Sequence, residues 1–229
     1  MGIAVPSLWN RLSGTFDSPP GLTAHTIGPG GCVPLYSADS LATLKAQPDS
    51  LRLRGVPVAD PRWHEPVTAP VTLQAKTAQT IVVTAARIEV MSTERLPVTG
   101  RVIDAEGCGG LMETRPFDVD LATHPVSLKP ALTKAADGSV GRAPGFPFKV
   151  SAKDPEQLEL RFPTVPGDVR FSITIDWVSE GEPGTVTLDN GGAGYRVMGL
   201  GTLPRHPPGA LYGRVTPALS SQSATPTRD

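Results

Sequence analysis

Apolar and polar residues alternate most cleanly from 168 to 177. Val169, Phe171, Ile173, Ile175 and Trp177 fall on one side of an extended chain; Arg170, Ser172, Thr174 and Asp176 fall on the other. A period of two predicts a half-buried strand with a firmly set register, because a slip of one residue would expose five large apolar groups. Trp177 reads as a core plug at its end. Alternating or β-branched runs recur at 71–76, 80–90, 98–103, 117–121, 126–128, 146–150, 157–162, 184–188 and 195–198. The run 80–90 is long enough for one strand with a bulge or a buried central strand.

Turn residues separate these runs: Pro166-Gly167-Asp168, Glu182-Pro183-Gly184 and Asn190-Gly191-Gly192. Asn-Gly is a preferred type I′ hairpin connection. No amphipathic helix of about 10–15 residues lies between any two runs, which argues against parallel βαβ units. The pattern predicts an all-β fold: an antiparallel β-sandwich of immunoglobulin-like or jelly-roll-like kind over residues 67–200. Residues 1–66 lack periodicity and read as a long irregular Pro/Gly-rich arm. It contains one short helix over 37–45, with Ser37 or Asp39 as N-cap. Residues 201–229 read as a Pro/Ser/Thr-rich, disordered tail.

Composition narrows the field. The 229 residues include 24 glycines and 25 prolines and only 19% charged residues, which excludes a coiled coil. A hydrophobic fraction of 39% supports a real core. A net charge of −1 argues against a nucleic-acid partner held by bulk charge. The densest basic group, Arg52, Arg54 and Arg62, lacks the interleaved aromatics that stack bases. No run approaches the ~18–20 apolar residues of a membrane helix, and the first 20 residues do not form a signal peptide. No membrane insertion by this chain is therefore expected, although a chain starting after a removed anchor would read the same way.

Candidate chemistry is sparse. His25, His64, His124 and His206 sit in loop-like sequence without metal-ligand spacing. Trp63-His64-Glu65 would point its polar groups to opposite faces of an extended chain. Cys108 lies in a Gly-rich stretch that could offer N–H groups to an oxyanion, with His124 downstream, but no base is placed beside it. Asp118 and Asp120 share one face of a strand, opposite the apolar Phe117, Val119 and Leu121, and read as solvent coating. Asp189-Asn190-Gly191-Gly192 resembles a calcium-loop fragment without its later Glu and reads as a turn. The glycine-rich segments at 28–31 and 192–194 precede no helix that could hold a phosphate. No catalytic, cofactor or metal set is expected. Cys32 and Cys108 are far apart and belong to no Cys-x-x-Cys motif; they are either one disulfide or two buried thiols.

Residues 81–110, with Leu96-Pro97-Val98-Thr99-Gly100 and Cys108-Gly109-Gly110, carry a resemblance together with Ile175-Asp176-Trp177 and Gly191-Gly192-Ala193-Gly194-Tyr195-Arg196-Val197. Across roughly residues 30–200 the chain resembles a set of uncharacterised actinobacterial proteins. Those carry a β-sandwich behind a membrane helix, sometimes with a cytoplasmic module in front. The resemblance implies an extracytoplasmic domain with a paired set of cysteines; the chain departs from it in lacking the membrane helix.

These readings converge on a non-enzymatic interaction or structural module with a protein partner. Trp63, Tyr195 and Tyr212 are its expected ligand or partner contacts. The alternatives are a sensor domain for carbohydrate, peptide or calcium, a virion or assembly component, and a hydrolase using Cys108 or Asp118 and Asp120. An extracytoplasmic location follows if Cys32 and Cys108 are bridged, and a cytoplasmic one otherwise.

Overall fold

The alternating stretch 168–177 becomes the central strand of the computed structural model, which describes residues 21–105, 114–134 and 137–212. In chain order the strands are β1 (Leu22–His25), β2 (Leu35–Ser37), β3 (Val56–Ala59), β4 (Val67–Ala75), β5 (Ile81–Glu94), β6 (Arg101–Ile103), β7 (Arg115–Asp120) and β8 (Ser127–Pro130). There follow β9 (Leu132–Lys134), β10 (Val140–Arg142), β11 (Phe148–Val150), β12 (Glu156–Phe162), β13 (Asp168–Ser179), β14 (Glu182–Leu188), β15 (Tyr195–Gly199) and β16 (Arg205–His206). Helices α1 (Leu41–Ala46) and α2 (Asp49–Arg54) lie between β2 and β3.

The strands form two main sheets. The smaller runs β1-β4-β12-β7-β8; the larger runs β11-β5-β13-β15-β3-β2-β6-β16, with β14 also paired to β13. β9 and β10 form a separate hairpin. Val169, Phe171, Ile173 and Ile175 of β13 are fully buried and share one core with Val67, Ala69, Val71 and Leu73 of β4 and Leu158, Leu160 and Phe162 of β12. Phe162 and Phe171 meet at 5.1 Å between ring centroids, joining the sheets. The fold is therefore an all-β sandwich. Most pairings are antiparallel, but β7 with β12, β3 with β15 and β6 with β16 are parallel.

β13 is the longest-bonded strand because its whole length is used on both edges. β5 covers one edge, with register shifts at Arg170/Phe171 and Asp176/Trp177. Along the other edge β15 pairs with Asp168–Phe171 and β14 with Ile173–Ser179. β14 and β15 are thus two parts of one interrupted strand. The Asn190-Gly191-Gly192 segment is the bulge between them and not the hairpin turn its composition suggests. Its residues have φ of 54°, 67° and 85°, and Gly194 N–H donates to the Asp189 carbonyl at 2.8 Å. The two-residue hairpin is Glu180-Gly181, at φ 53° and 86° between the paired Ser179 and Glu182; positive φ at both positions is the type I′ geometry. Glu182-Pro183-Gly184, expected as a turn, begins β14. Trp177 is a rim residue, not a central plug: it is half-buried and its ring occupies the space where a Cβ on Gly184 would stand.

The described part of the expected arm is built into the sandwich. β1 pairs with β4 at the edge of the smaller sheet, and β2 and β3 extend the larger one. α1 begins later than expected. Its N-cap is Ser40, whose Oγ accepts from the Thr43 N–H at 3.1 Å, while Ser37 Oγ accepts from the Asp39 N–H in a local turn. α2 was not foreseen. It follows Pro48, ends in Arg52 and Arg54, and buries Leu51. Tyr36, Val56, Val58, Val102, Met198 and Leu203 form a second core; Leu44, Leu51, Ile103 and Leu211 form a third. The expected tail also starts late: β16 and a 3₁₀ turn at Pro208–Ala210 carry ordered structure to Tyr212. Residues 1–20, Cys108 with its glycine-rich stretch, and 213–229 lie outside the described residues.

Candidate functional site

The third core opens to the surface. A cavity of about 360 Å³ is lined by Cys32, Val33, Leu35 and Leu51 on one side and Ile103, Asp104, Ala105 and Leu211 on the other, with Arg52 and Tyr212 at its mouth. Each contributing segment is placed for a local reason. α2 turns Leu51 inward and leaves Arg52 and Leu53 outside. β2 presents Leu35 beside Ile103 of β6, its register partner. The 3₁₀ turn brings Leu211 back onto Ile103. An apolar floor under a few polar groups is the usual make-up of a binding cavity.

Behind Asp104 stands a partly buried ionic network. Arg205 donates through Nε to Asp104 Oδ1 at 3.1 Å and makes close ion pairs through Nη2 with Asp104 and through Nη1 with Asp60. The Asp60 side chain is only 2% exposed and also accepts from the Arg62 backbone N–H at 2.9 Å and the Arg62 Nε at 3.2 Å. Burial pushes the Asp60 carboxyl up, but the Arg205 and Arg62 hydrogen bonds and the Arg205 charge outweigh it and hold it down at about 2. Asp60 is therefore charged throughout the physiological range, and its pairing with Arg205, together with that of Asp104, fixes β16 against the end of β3 and the end of β6.

Two of the three aromatics expected to make contacts belong to this region. Tyr212 is 54% exposed at the cavity mouth. Trp63 is half-buried; its indole N–H donates to the Cys32 carbonyl at 2.6 Å and the Arg205 guanidinium lies 6.0 Å from its ring. Trp63 thus supports the wall from behind. Tyr195 is elsewhere: it packs on Phe171 at 6.0 Å and against Gly28, and burial raises its hydroxyl pKa. Cys32 is buried in the cavity wall, and Cys108 lies outside the described residues. Among the apolar residues of the expected arm, Tyr36 and Leu51 are buried, Leu35 and Trp63 half-buried, and Leu53 is exposed, at 84%.

The other candidate groups stay apart. Asp118 and Asp120 are exposed on β7 above the buried Phe117 and Val119, and Asp120 accepts from the Ala122 N–H at 3.0 Å in a local turn. His25, His64 and His124 are exposed, and His206 is half-buried. Among the described residues no group of three or more His, Cys, Asp or Glu side chains is arranged to hold a metal.

Sequence reasoning did not single out a second, wider cleft of about 670 Å³ beside β12. Thr72, Thr114, Arg115, Asp154, Glu156 and Gln157 contribute to its walls. Arg115 lies 4.4 Å from the Phe148 ring centroid and donates to Glu156 at 3.0 Å, yet its Nε is buried without a partner, as is Gln157 Oε1. No signal marked them, because neither Arg nor Gln has a motif outside its tertiary setting. Comparison with known protein families, curated proteins and solved structures finds no match.

Proposed function

We propose that this chain is a non-catalytic recognition module that binds a protein partner through the cavity end of its sandwich. The observation that carries this is the apolar cavity under Arg52 and Tyr212, held open by the Asp60–Arg205–Asp104 network. A partner's apolar side chain would be seated on Leu35, Leu51, Ile103 and Leu211, with its polar flank on Arg52 and the Tyr212 hydroxyl. The test is photo-cross-linking in the protein's own cells, with benzoylphenylalanine at position 212 and, as a control, at the exposed Val140 of β10. A discrete adduct at 212, absent at 140 and lost on Arg52→Glu, supports the reading. No adduct at 212, or the same adducts at both positions, refutes it.

A Cys32–Cys108 disulfide and a place outside the cytoplasm accompany this proposal. Ala105 and Cys32 line the same cavity, and Cys108 is three residues beyond Ala105. Three residues span at most ~11 Å, so the cavity rim is within reach of Cys108. The resemblance to actinobacterial extracytoplasmic sandwiches points the same way.

A second reading, a sensor for a hydroxylated ligand such as a carbohydrate, is favoured by the wider cleft and its polar lining of Thr72, Thr114, Asp154, Glu156 and Gln157. A ligand at 100 times its Kd would stabilise the fold by about 2.7 kcal/mol. A thermal-shift screen of mono- and disaccharides should then give a hit that Gln157→Leu abolishes; a screen without hits, or a hit indifferent to that substitution, rejects the reading.

A further inference from the structure

The outer edge of β5 is the longest open sheet edge that the described residues leave. β11 pairs only with Ile81–Val83, and among the described residues no other strand lies beyond Thr84 to Glu94 on that side and no loop supplies a backbone hydrogen bond to it. Two other open edges are blunted by proline, Pro183 in β14 and Pro125 and Pro130 around β8, and the proline-free edges of β1, β9 and β10 are only three or four residues long. β5 has no proline. Its two register shifts lie outside Ala85–Val90, so six residues remain regular between them. A regular, proline-free edge is a template for another strand.

The side chains specify which strand. Ala86 and Ile88 face the core at the lip of a groove of about 340 Å³ that Pro125 and Val126 close from the smaller sheet. Arg87 and Glu89 face outward and are exposed; Arg87 reaches Asp176 at 2.8 Å, while Glu89 has no ion-pair partner among the described residues. Two copies of β5 related by a two-fold axis through Ile88 pair antiparallel with inner face beside inner face. Arg87 then stands opposite the Glu89 of the second copy, twice by symmetry, with Ile88 opposite Ile88 and Ala86 opposite Val90. The two neighbouring registers that also keep the faces matched place Arg87 opposite Arg87 or Glu89 opposite Glu89. Opposite charges directly across a ladder stabilise and like charges destabilise, so the sequence of this edge selects one self-pairing.

We propose that the β5 edge, residues 85–90, binds a second copy of this chain and joins the two larger sheets into one continuous sheet. The contact is one strand pair wide and therefore a weak, concentration-dependent dimer. Sedimentation equilibrium on the whole chain tests it. The wild type should show a monomer–dimer equilibrium, which E89R or R87E weakens roughly tenfold to a hundredfold, since each replaces two attractive pairs by two repulsive ones. The charge swap R87E/E89R should restore the wild-type Kd. D176N, which removes only the intramolecular partner of Arg87, should leave dimerisation intact. Near-UV circular dichroism checks that each variant is folded; should R87E fail, E89R and the swap carry the test. A wild type that stays monomeric to ~1 mM, or a dimer that single and double variants weaken equally, overturns the proposal. Monomer in isolation with concentration-independent protection of the 85–90 amides in cell extract would assign the edge to a foreign strand instead and would overturn it too.

Discussion

Asp60 concentrates the energetics of this fold in one carboxylate. It is buried, it accepts from two arginines, and its pKa is depressed to about 2 against 3.8 for an ordinary aspartate. A depressed carboxylate stabilises the native state above its unfolded pKa, and that contribution disappears as pH falls through the folded value. The contribution is about 2 kcal/mol, present above roughly pH 4 and lost between pH 4 and 2. Asp60→Asn should cost about 2–4 kcal/mol at pH 7, because the partly buried Arg205 loses its one fully buried counter-charge and keeps only the half-exposed Asp104. Urea unfolding at pH 7 and near pH 2 checks this: the gap between wild type and variant should shrink markedly in acid. A gap of constant size would show that the packing of Asp60, not its charge, matters. Nothing in the local sequence Val58-Ala59-Asp60-Pro61 announced such a role, since Arg205 lies 145 residues away.

At the level of elements, legibility followed the ratio of local to distant information. β5, β7, β12 and β13 were readable because each carries an alternating stretch that buries one face, as the 0% exposure of Val169, Phe171, Ile173 and Ile175 shows. β2, β9, β10 and β16 have two or three residues each, too few to establish a period. β3 is buried on every residue and so does not alternate at all. Turn chemistry was correctly recognised as positive-φ backbone at Asn190-Gly191, but its consequence was misjudged. The chain there re-joins the same edge of β13 instead of reversing, while a non-glycine residue, Glu180, accepts φ 53° in the true hairpin. Whether a turn reverses the chain depends on which strand captures the next segment, and that is decided elsewhere. The same holds for the open edge of β5: its alternation was visible, its missing neighbour was not.

For the whole molecule, the two lobes of information meet at the cavity end. Segments around 32–35, 51, 103–105 and 208–212 converge there across most of the chain. A bridge from Cys32 to Cys108 would close a loop of about 75 residues and stabilise by roughly 4 kcal/mol in the chain-entropy account. Extraction of the protein from its own cells into a thiol-trapping reagent, followed by intact mass, should find neither cysteine labelled until reductant is added. Prompt labelling of both would remove the bridge and, with it, the extracytoplasmic location.

The sequence by itself determined the class of fold, the buried face of the strands at 117–121 and 168–175, and the solvent-facing place of Asp118 and Asp120. These are properties of neighbours two to four residues apart, and local pattern carries them. Only the tertiary structure decided that residues 22–25, 35–37 and 56–59 belong to the sheets, that three strand pairs run parallel, that Arg205 neutralises Asp60 and Asp104, and that Cys32 and Tyr212 share a cavity while Tyr195 does not. Each of these joins residues tens to more than a hundred positions apart. Such contacts form because burying apolar area and pairing buried charge lower the free energy of the whole chain, and no short stretch of sequence records which distant segment will supply the other half.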